Sequence, residues 1–406
     1  MYLRSLRLTN FRNFRRLALD LTDGPTVIQG NNAQGKTNLL EAIELLAAGK
    51  SSRASTEREL IHWDVLRDPA GAYESFARVN AAVGHERGEV HADILLRAID
   101  PAGSDGTPMV GKTFRLNGLP RRALDFIGEI NVVAFAPTDV DLVAGPPAGR
   151  RRYLDVMNAQ MSRRYLRSLQ RFNKILVQRN FLLRQIRERN RPDPSLAVWD
   201  EELAGSAALL FQERARSVHA LNEHAERWFQ ELGGWGQHLD VRYRPGISGE
   251  EAAVLMAPIE DVDGSLGRIH AAVKTALDRI SPREQAAGMS LVGPHRDDLS
   301  FLVDGIDMNT FGSRGQQRLA ALSLKLAELD VLTSQLGTRP ILLLDDVLSE
   351  LDPHKQEAVL NVAQGAGQTI ITVTDLDSIS EGLAEAGTIL RLEAGALLPD
   401  EVAAER

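Results

Sequence analysis

The chain of 406 residues has no cysteine. That excludes a disulfide framework and any cysteine-ligated zinc, and it agrees with a reducing, cytoplasmic setting. No apolar run approaches the roughly 20 residues a helix needs to span a bilayer, so no membrane association is expected. Met1–Leu8 interleaves charged and apolar residues and lacks the core of a signal peptide. No internal repeat or low-complexity tail is visible. Lysine is scarce beside arginine, and alanine is abundant, as genome composition alone can produce. The length allows two or three domains and a sizeable core.

The net charge of −8 would argue against a nucleic-acid partner if it were evenly spread. It is not. Between Arg150 and Arg191 there are 13 lysines and arginines against only Asp155 and Glu188, a local +11 that leaves −19 on the remainder.

What is present is organised around Gly30-Asn31-Asn32-Ala33-Gln34-Gly35-Lys36-Thr37, which fits the phosphate-binding pattern G-x-x-x-x-G-K-[ST] at every fixed position. Glycines let successive backbone N–H groups turn inward on an anion. Lys36 would reach the β- and γ-phosphates of ATP, and the Thr37 hydroxyl would hold Mg²⁺. Thr26–Gln29 reads as a buried strand before the loop. Asn38–Leu46 reads as a helix after it, with its N-terminus toward the anion.

Residues 1–20 read as a strand pair turning at Asn10–Phe14. From about Tyr73 to Phe135 the chain alternates as strands do, with Asn117-Gly118 suited to a tight hairpin and Asp100–Pro108 to a surface loop. After Gly145-Pro146-Pro147 the pattern becomes helical. Leu154, Met157, Met161, Tyr165, Leu169, Phe172, Leu176 and Leu183 recur at mostly three- or four-residue spacing over about ten turns. A break at Asn190–Pro194 and a second long helix to about Leu232 complete an antiparallel helical arm. Later, Phe311–Arg318 runs into a helix and forms a second Gly-containing loop at a helix N-terminus. Ile341–Asp346 is an apolar strand ending in two carboxylates. In a P-loop ATPase, Asp345 would hold Mg²⁺ and Asp346 would polarise the attacking water. Thr369–Thr374 makes one more strand. His295-Arg296-Asp297 imitates a kinase triplet without the other kinase motifs, and is expected to be a structural turn.

The order of P-loop, S-x-G-Q loop, Asp-Asp strand and Ser349-Glu350-Leu351-Asp352 resembles an ABC-type ATPase head. More narrowly, the chain resembles the bacterial RecF family. The matching stretches are Leu8–Phe14, Gly30–Leu40, Phe135–Val143, Gly145–Asp155, Gly293–Asp298 and Ser313–Gln317. The fold this implies is α/β: an ABC-type P-loop head with a mixed β-sheet and an antiparallel β-rich subdomain, plus an inserted helical arm. The head would be built from residues 1–145 and 285–406, and the arm from 146–284.

The resemblance also implies that two heads pair on ATP, each nucleotide lying between one subunit's P-loop and the other's Ser313, Gly315 and Gln316. Arg12 would touch phosphate in cis. Lys36 and Asp346 would be catalytic in a weak, Mg²⁺-dependent ATPase. The activity implied is ATP-dependent DNA binding in recombinational repair and replication-fork maintenance, assisting recombinase loading at gaps, with RecO, RecR and RecA as partners. Three departures from transporter ATPases stand out: Arg314 replaces a glycine, Asp346 replaces a glutamate, and Thr374-Asp375 stands in place of a switch histidine.

For the arm, cations without balancing acid point to phosphate contact with duplex DNA by Arg163, Arg164, Arg167, Arg171 and Lys174. An acidic protein partner is the competing reading. Two rival functions are a transporter's ATPase subunit and a non-hydrolysing SMC-like clamp. The first lacks its histidine and has an arm where a continuous head is needed. Single-turnover phosphate release separates the second.

Overall fold

The structure, a computed structural model, describes residues 1–67, 75–85, 88–99, 109–234, 236–257, 262–365, 367–376 and 387–398. The Asp100–Pro108 stretch lies outside the described residues. The chain forms two compact units, one of Met1–Thr138 with Leu332–Arg406 and the other of Asp139–Val331.

The first unit is built on a six-stranded mixed sheet. Its strands are β1 (Gly24–Gln29), β2 (Val132–Phe135), β3 (Ile341–Asp345), β4 (Gln368–Val373), β5 (Thr388–Glu393) and β6 (Ala396–Leu398), in the spatial order β6-β5-β1-β4-β3-β2. Only the β5–β6 pairing is antiparallel. Parallel strands are covered on both faces and so read as unbroken apolar runs. β3 and β4 are buried at every position. Helix α1 (Lys36–Ala48) follows β1 across the P-loop, buries Leu39, Ile43 and Leu46, and stops at Gly49, whose φ of 67° is the left-handed end a glycine permits.

Beside this sheet lies an antiparallel one with the strand order Phe14–Asp20, Tyr2–Phe11, Phe76–His85, Gly88–Ile99, Met109–Leu116 and Leu119–Arg121. Its first hairpin turns through Arg12-Asn13, with Phe11 opposite Phe14. Its last turns at Asn117-Gly118, where φ values of 51° and 79° give the doubly left-handed turn expected of this pair. Leu6, Leu8, Phe11 and Phe14 join Ile43, Leu46, Ile341 and Leu343 in one core, so sheet, helix and sheet bury a shared apolar layer.

The second unit holds helices α2 (Pro147–Met161), α3 (Arg163–Arg189), α4 (Leu196–Glu231) and α5 (Val262–Ala287), and a small sheet of Ile306–Asp307, Asp298–Val303 and Leu239–Arg244. The apolar spacing through Leu154–Leu183 predicts one continuous helix; the chain instead breaks at Ser162. Ser162 takes extended angles (φ −138°, ψ 110°), and its side chain accepts the Tyr165 N–H at 3.1 Å. That N-cap starts α3 as a separate helix. The second long helix ends where expected, before Gly233 at φ 107°. α5 and the strand Leu239–Arg244 have no counterpart in the sequence reading. α5 packs on α4 beside α3, so the arm region has three long helices rather than two.

Buried charges tie this unit together. Arg179 is fully buried and reaches Asp200 (2.7 Å), Glu284 (2.5 Å) and the Ser290 hydroxyl (2.8 Å). Arg214 donates to Asp297 (2.5 Å), Asp155 (2.6 Å), the Tyr165 hydroxyl (2.9 Å) and the Pro294 carbonyl (2.7 Å). Asp297 also accepts from the Gly246 N–H at 2.6 Å and from the Tyr243 hydroxyl. The kinase-like triplet is therefore a structural turn, with Asp297 buried, His295 half-buried and Arg296 exposed. Burial also lowers the His295 imidazole to about 4, leaving it neutral at physiological pH.

Candidate phosphate-binding site

The loop from β1 to α1 is shaped by two left-handed residues, Ala33 (φ 67°) and Gly35 (φ 109°). Alternating the hand of the backbone turns successive N–H groups to one side, as an anion nest requires. Gly35 tolerates no side chain: a Cβ there would come within 2.4 Å of the Asn13 amide. That amide donates to the Gln34 carbonyl (3.1 Å), and its oxygen accepts from Asn38 (2.8 Å). At Gly30 a Cβ would meet the Leu392 carbonyl oxygen at 2.5 Å. Gln34 accepts from the Ala394 N–H at 2.5 Å, while Asn31, Asn32 and Ala33 are exposed. Lys36 is buried, its amine donating to the Gly30 carbonyl and, at 3.4 Å, to that of Asn31. Burial lowers its pKa, opposed by the charges of Asp346 and Asp345.

Thr37, in the first turn of α1, places its hydroxyl 3.0 Å from both carboxylate oxygens of Asp345 at the end of β3. Asp345 also receives Arg53 (2.8 Å) and the Thr372 hydroxyl (3.0 Å). A hydroxyl and a carboxylate converging on one point are hard oxygen donors of the kind Mg²⁺ takes, alongside phosphate and water. Among the described residues no group of three or more His, Asp and Glu could cage a metal. The donor set therefore fits a cation shared with a phosphate ligand rather than an all-protein site. Asp346 is left-handed (φ 54°), its N–H held by the Thr372 carbonyl (3.2 Å) and hydroxyl (3.1 Å).

Arg12 sits in the hairpin turn at φ 51°. Its guanidinium grips buried Glu41 with two bonds, 2.8 and 2.7 Å, and the Glu59 carbonyl at 3.0 Å. The sequence reading did not single out Arg53, Thr372 or Glu41. Thr372 lies in the apolar strand the sequence does show, and the parallel register of β3 and β4 pairs it with Asp345.

In the second unit, Ser313 precedes helix α6 (Arg314–Leu336). Its N–H donates to the Gln316 side-chain oxygen (3.0 Å), and its hydroxyl accepts the Gln316 N–H (3.3 Å). This reciprocal cap leaves the hydroxyl proton free to point outward. Ser313, Arg314 and Gly315 are exposed, and a Cβ on Gly315 would meet nothing within 4 Å. The chain's own packing thus does not require a glycine there.

The arm cations divide. Arg163, Arg164, Arg167, Arg171 and Lys174 are all exposed on α3, and four of them, at i, i+4, i+8 and i+11, share one face. Arg171 pairs with Glu202 of α4. Arg150 and Arg179 are buried, neutralised by Asp298 (2.6 Å) and by Asp200 and Glu284. The sequence reading of cations without balancing acid is corrected here: part of the +11 is cancelled by carboxylates distant in sequence. Among the described residues no helix is long and apolar enough to cross a membrane.

A P-loop opening a helix on a largely parallel sheet, with an aspartate brought to its threonine from 308 residues away, defines an SMC-type nucleotide-binding head. The family described as RecF/RecN/SMC N terminal domain matches residues 2–387. Within that class the chain belongs to the RecF family. It is 41% identical over 404 residues to the DNA replication and repair protein RecF of Herpetosiphon aurantiacus, covering 98% of this chain and 100% of that one. With the protein of the same name from Chloroflexus aurantiacus the identity is 42% over 402 residues, covering 97% and 99%. Among solved structures, that of the recombination mediator protein RecF-ATPrS in the RecFOR pathway is similar at a TM-score of 0.82 and 29% identity, covering 98% of this chain and 97% of the other. An Smc head bound to the C-winged helix domain of ScpA, at 0.52 and 17% identity with both chains fully covered, shares the fold. The expected architecture, an ABC-type head with mixed and antiparallel sheets and an inserted helical arm, is the one found.

Proposed function

We propose that this protein is a cytoplasmic, ATP-dependent DNA-binding protein of replication and recombinational repair. Residues 1–145 and 285–406 would serve as the head and 146–284 as the arm. The observation that carries the reading is the convergence of Thr37 and both oxygens of Asp345 at the mouth of the P-loop. Thr37 and Asp345 would hold Mg²⁺ there, which would supply neutralisation of phosphate charge. Gly30–Gly35 wraps the phosphates with backbone N–H groups, and Lys36 leaves the loop carbonyls to meet them. Arg53, bonded to Asp345 here, would yield that carboxylate to a cation, and Asp346 would orient the attacking water. Its short side chain and constrained backbone suit slow turnover. Arg12, committed to Glu41, shapes the loop's flank and reaches phosphate only if that pair opens.

The Ser313 hydroxyl and the Gly315 N–H of one subunit donate to the γ-phosphate held by the other, with Gln316 keeping the serine in place. ATP-bound heads then pair, and hydrolysis releases them. Arg163, Arg164, Arg167, Arg171 and Lys174 contact duplex or gapped DNA through phosphates, without base reading. RecO, RecR and RecA are the partners this role calls for, with recombinase loading at gaps as the outcome. Support comes from the RecF relatives, named for DNA replication and repair, and from a RecF–ATP structure in the RecFOR pathway with a TM-score of 0.81.

The test is duplex-DNA binding across a salt series with ATP, ADP or no nucleotide, for wild type, Lys36→Ala and Ser313→Arg, with oligomeric state followed in parallel. Binding that is salt-steep, needs ATP and disappears together with pairing in both variants is expected. Binding indifferent to ATP, or pairs that survive Ser313→Arg, would overturn the mechanism.

A further inference from the structure

The segment leading into the Ser313 cap carries an apolar side chain that the mechanism above leaves unused. Phe311 is 74% exposed, the most exposed large apolar residue among the described residues, and stands two positions before Ser313. It ends the short helix Met308–Phe311, which is held firmly on its own unit. Met308 is buried, and its carbonyl accepts from the Gly312 N–H (3.2 Å) and the Gln317 amide (2.9 Å). The Thr310 hydroxyl donates to Asp307 (2.7 Å), and the Asn309 amide to the Val143 carbonyl (2.8 Å). A Cβ on Gly312 would come within 2.6 Å of the Met308 carbonyl oxygen, so the chain leaves Phe311 by a turn only glycine fits. The neighbouring strand Ile306–Asp307, on which this helix packs, exposes Ile306 as well.

A lone exposed apolar residue is ordinary. Here the ring is fixed to a rigid pedestal, and the polar loop beside it is itself exposed and contains a glycine that internal packing does not call for.

We infer that Phe311 is an anchor of the pairing interface, buried against the nucleotide-bearing face of a second copy of this chain when that copy's γ-phosphate meets Ser313. This rests on the head-pairing reading. The occupant is the second copy because the ring and the phosphate-seeking hydroxyl are presented by one continuous, immobilised segment. Phe311 and Ser313 are exposed two residues apart on that segment, so a surface that brings a phosphate to Ser313 lies next to Phe311. A two-fold pair uses the patch twice, so each loss counts double. Removing a buried aromatic anchor typically costs a factor of 10 or more per site, so Phe311→Ala should raise the dissociation constant of the ATP-dependent pair by about 100-fold. Phe311→Leu should recover most of it.

The absence of cysteine makes the site directly readable, since Phe311→Cys introduces the one thiol in the chain. At protein concentrations that keep the variant paired, its reaction with a maleimide should slow by about 10-fold or more with a slowly hydrolysed ATP analogue, and not with ADP. Unliganded Phe311→Ala should melt with wild type, because most of the side chain faces solvent. If wild type stays monomeric with the analogue, head pairing fails and this inference with it. If wild type pairs, yet the thiol reacts at an unchanged rate or Phe311→Ala pairs as tightly as wild type, pairing stands and the role of Phe311 is overturned.

Discussion

Replacing Arg214 with methionine tests whether the second unit is held by its buried ionic network. Methionine keeps the bulk of the stem and removes the guanidinium, with it the bonds to Asp297, Asp155, Tyr165 and the Pro294 carbonyl. Asp297 would remain fully buried with only the Tyr243 hydroxyl and the Gly246 N–H as donors. Stranding one partner of a buried pair costs about 3–5 kcal/mol. For a unit of this size each kcal/mol lowers Tm by roughly 2–4 °C, so a fall of about 10 °C is expected by calorimetry near pH 8.

The sign of the pH dependence follows from Asp297. Burial raises its carboxyl from 3.8 to about 6 in wild type, against the pull of Arg214. A raised carboxyl favours the fold while protonated, so this contribution is lost as pH rises from about 4 to 6 and is flat above. Without Arg214 the carboxyl rises further, and the loss extends above pH 6. The variant's deficit should therefore shrink as pH is lowered from 8 to 6, and Asp297→Asn added to Arg214→Met should recover part of it. A Tm change below about 2 °C at pH 8, or a deficit of constant size across this range, would refute the argument.

Gly35→Ala forces an alanine to φ 109° and drives a Cβ into the Asn13 amide. Strain of this kind costs about 1–3 kcal/mol before the amide moves. Affinity for a fluorescent ATP analogue should fall by about 100-fold, and wild-type affinity would count against the loop geometry. Ser162→Ala removes the cap that starts α3, at a cost of about 1 kcal/mol, and should lower the Tm of the second unit by about 2–4 °C. An unchanged Tm would mean that packing of α2 and α3, not the cap, fixes the break.

Legibility from sequence tracked how local each feature is. The eight residues Gly30–Thr37 and the apolar strands at 341–345 and 368–373 are contiguous, and their patterns survive any tertiary arrangement. The cap at Ser162 interrupts a helix without disturbing its apolar spacing, because a single extended residue separates the two helices and leaves the periodic positions on either side in place. α5 went unseen because its apolar positions are interspersed with polar ones and Pro282 sits within it; packing on α4 completes what propensity leaves weak.

By itself the sequence determined the phosphate loop, the turn at Asn117-Gly118 and the family, since these depend on which residues stand next to one another and on what their φ angles permit. The tertiary structure alone decided which charges face solvent and which are matched inside the fold. A count along the chain cannot show that Arg150 and Arg179 are matched by Asp298, Asp200 and Glu284, because carboxylates far away in sequence neutralise them. Nor can it show Arg53 resting on Asp345, or Arg12 held by Glu41. Those contacts form only when parallel register and helix packing bring distant segments within reach, where a buried charge must find a partner or destabilise the fold.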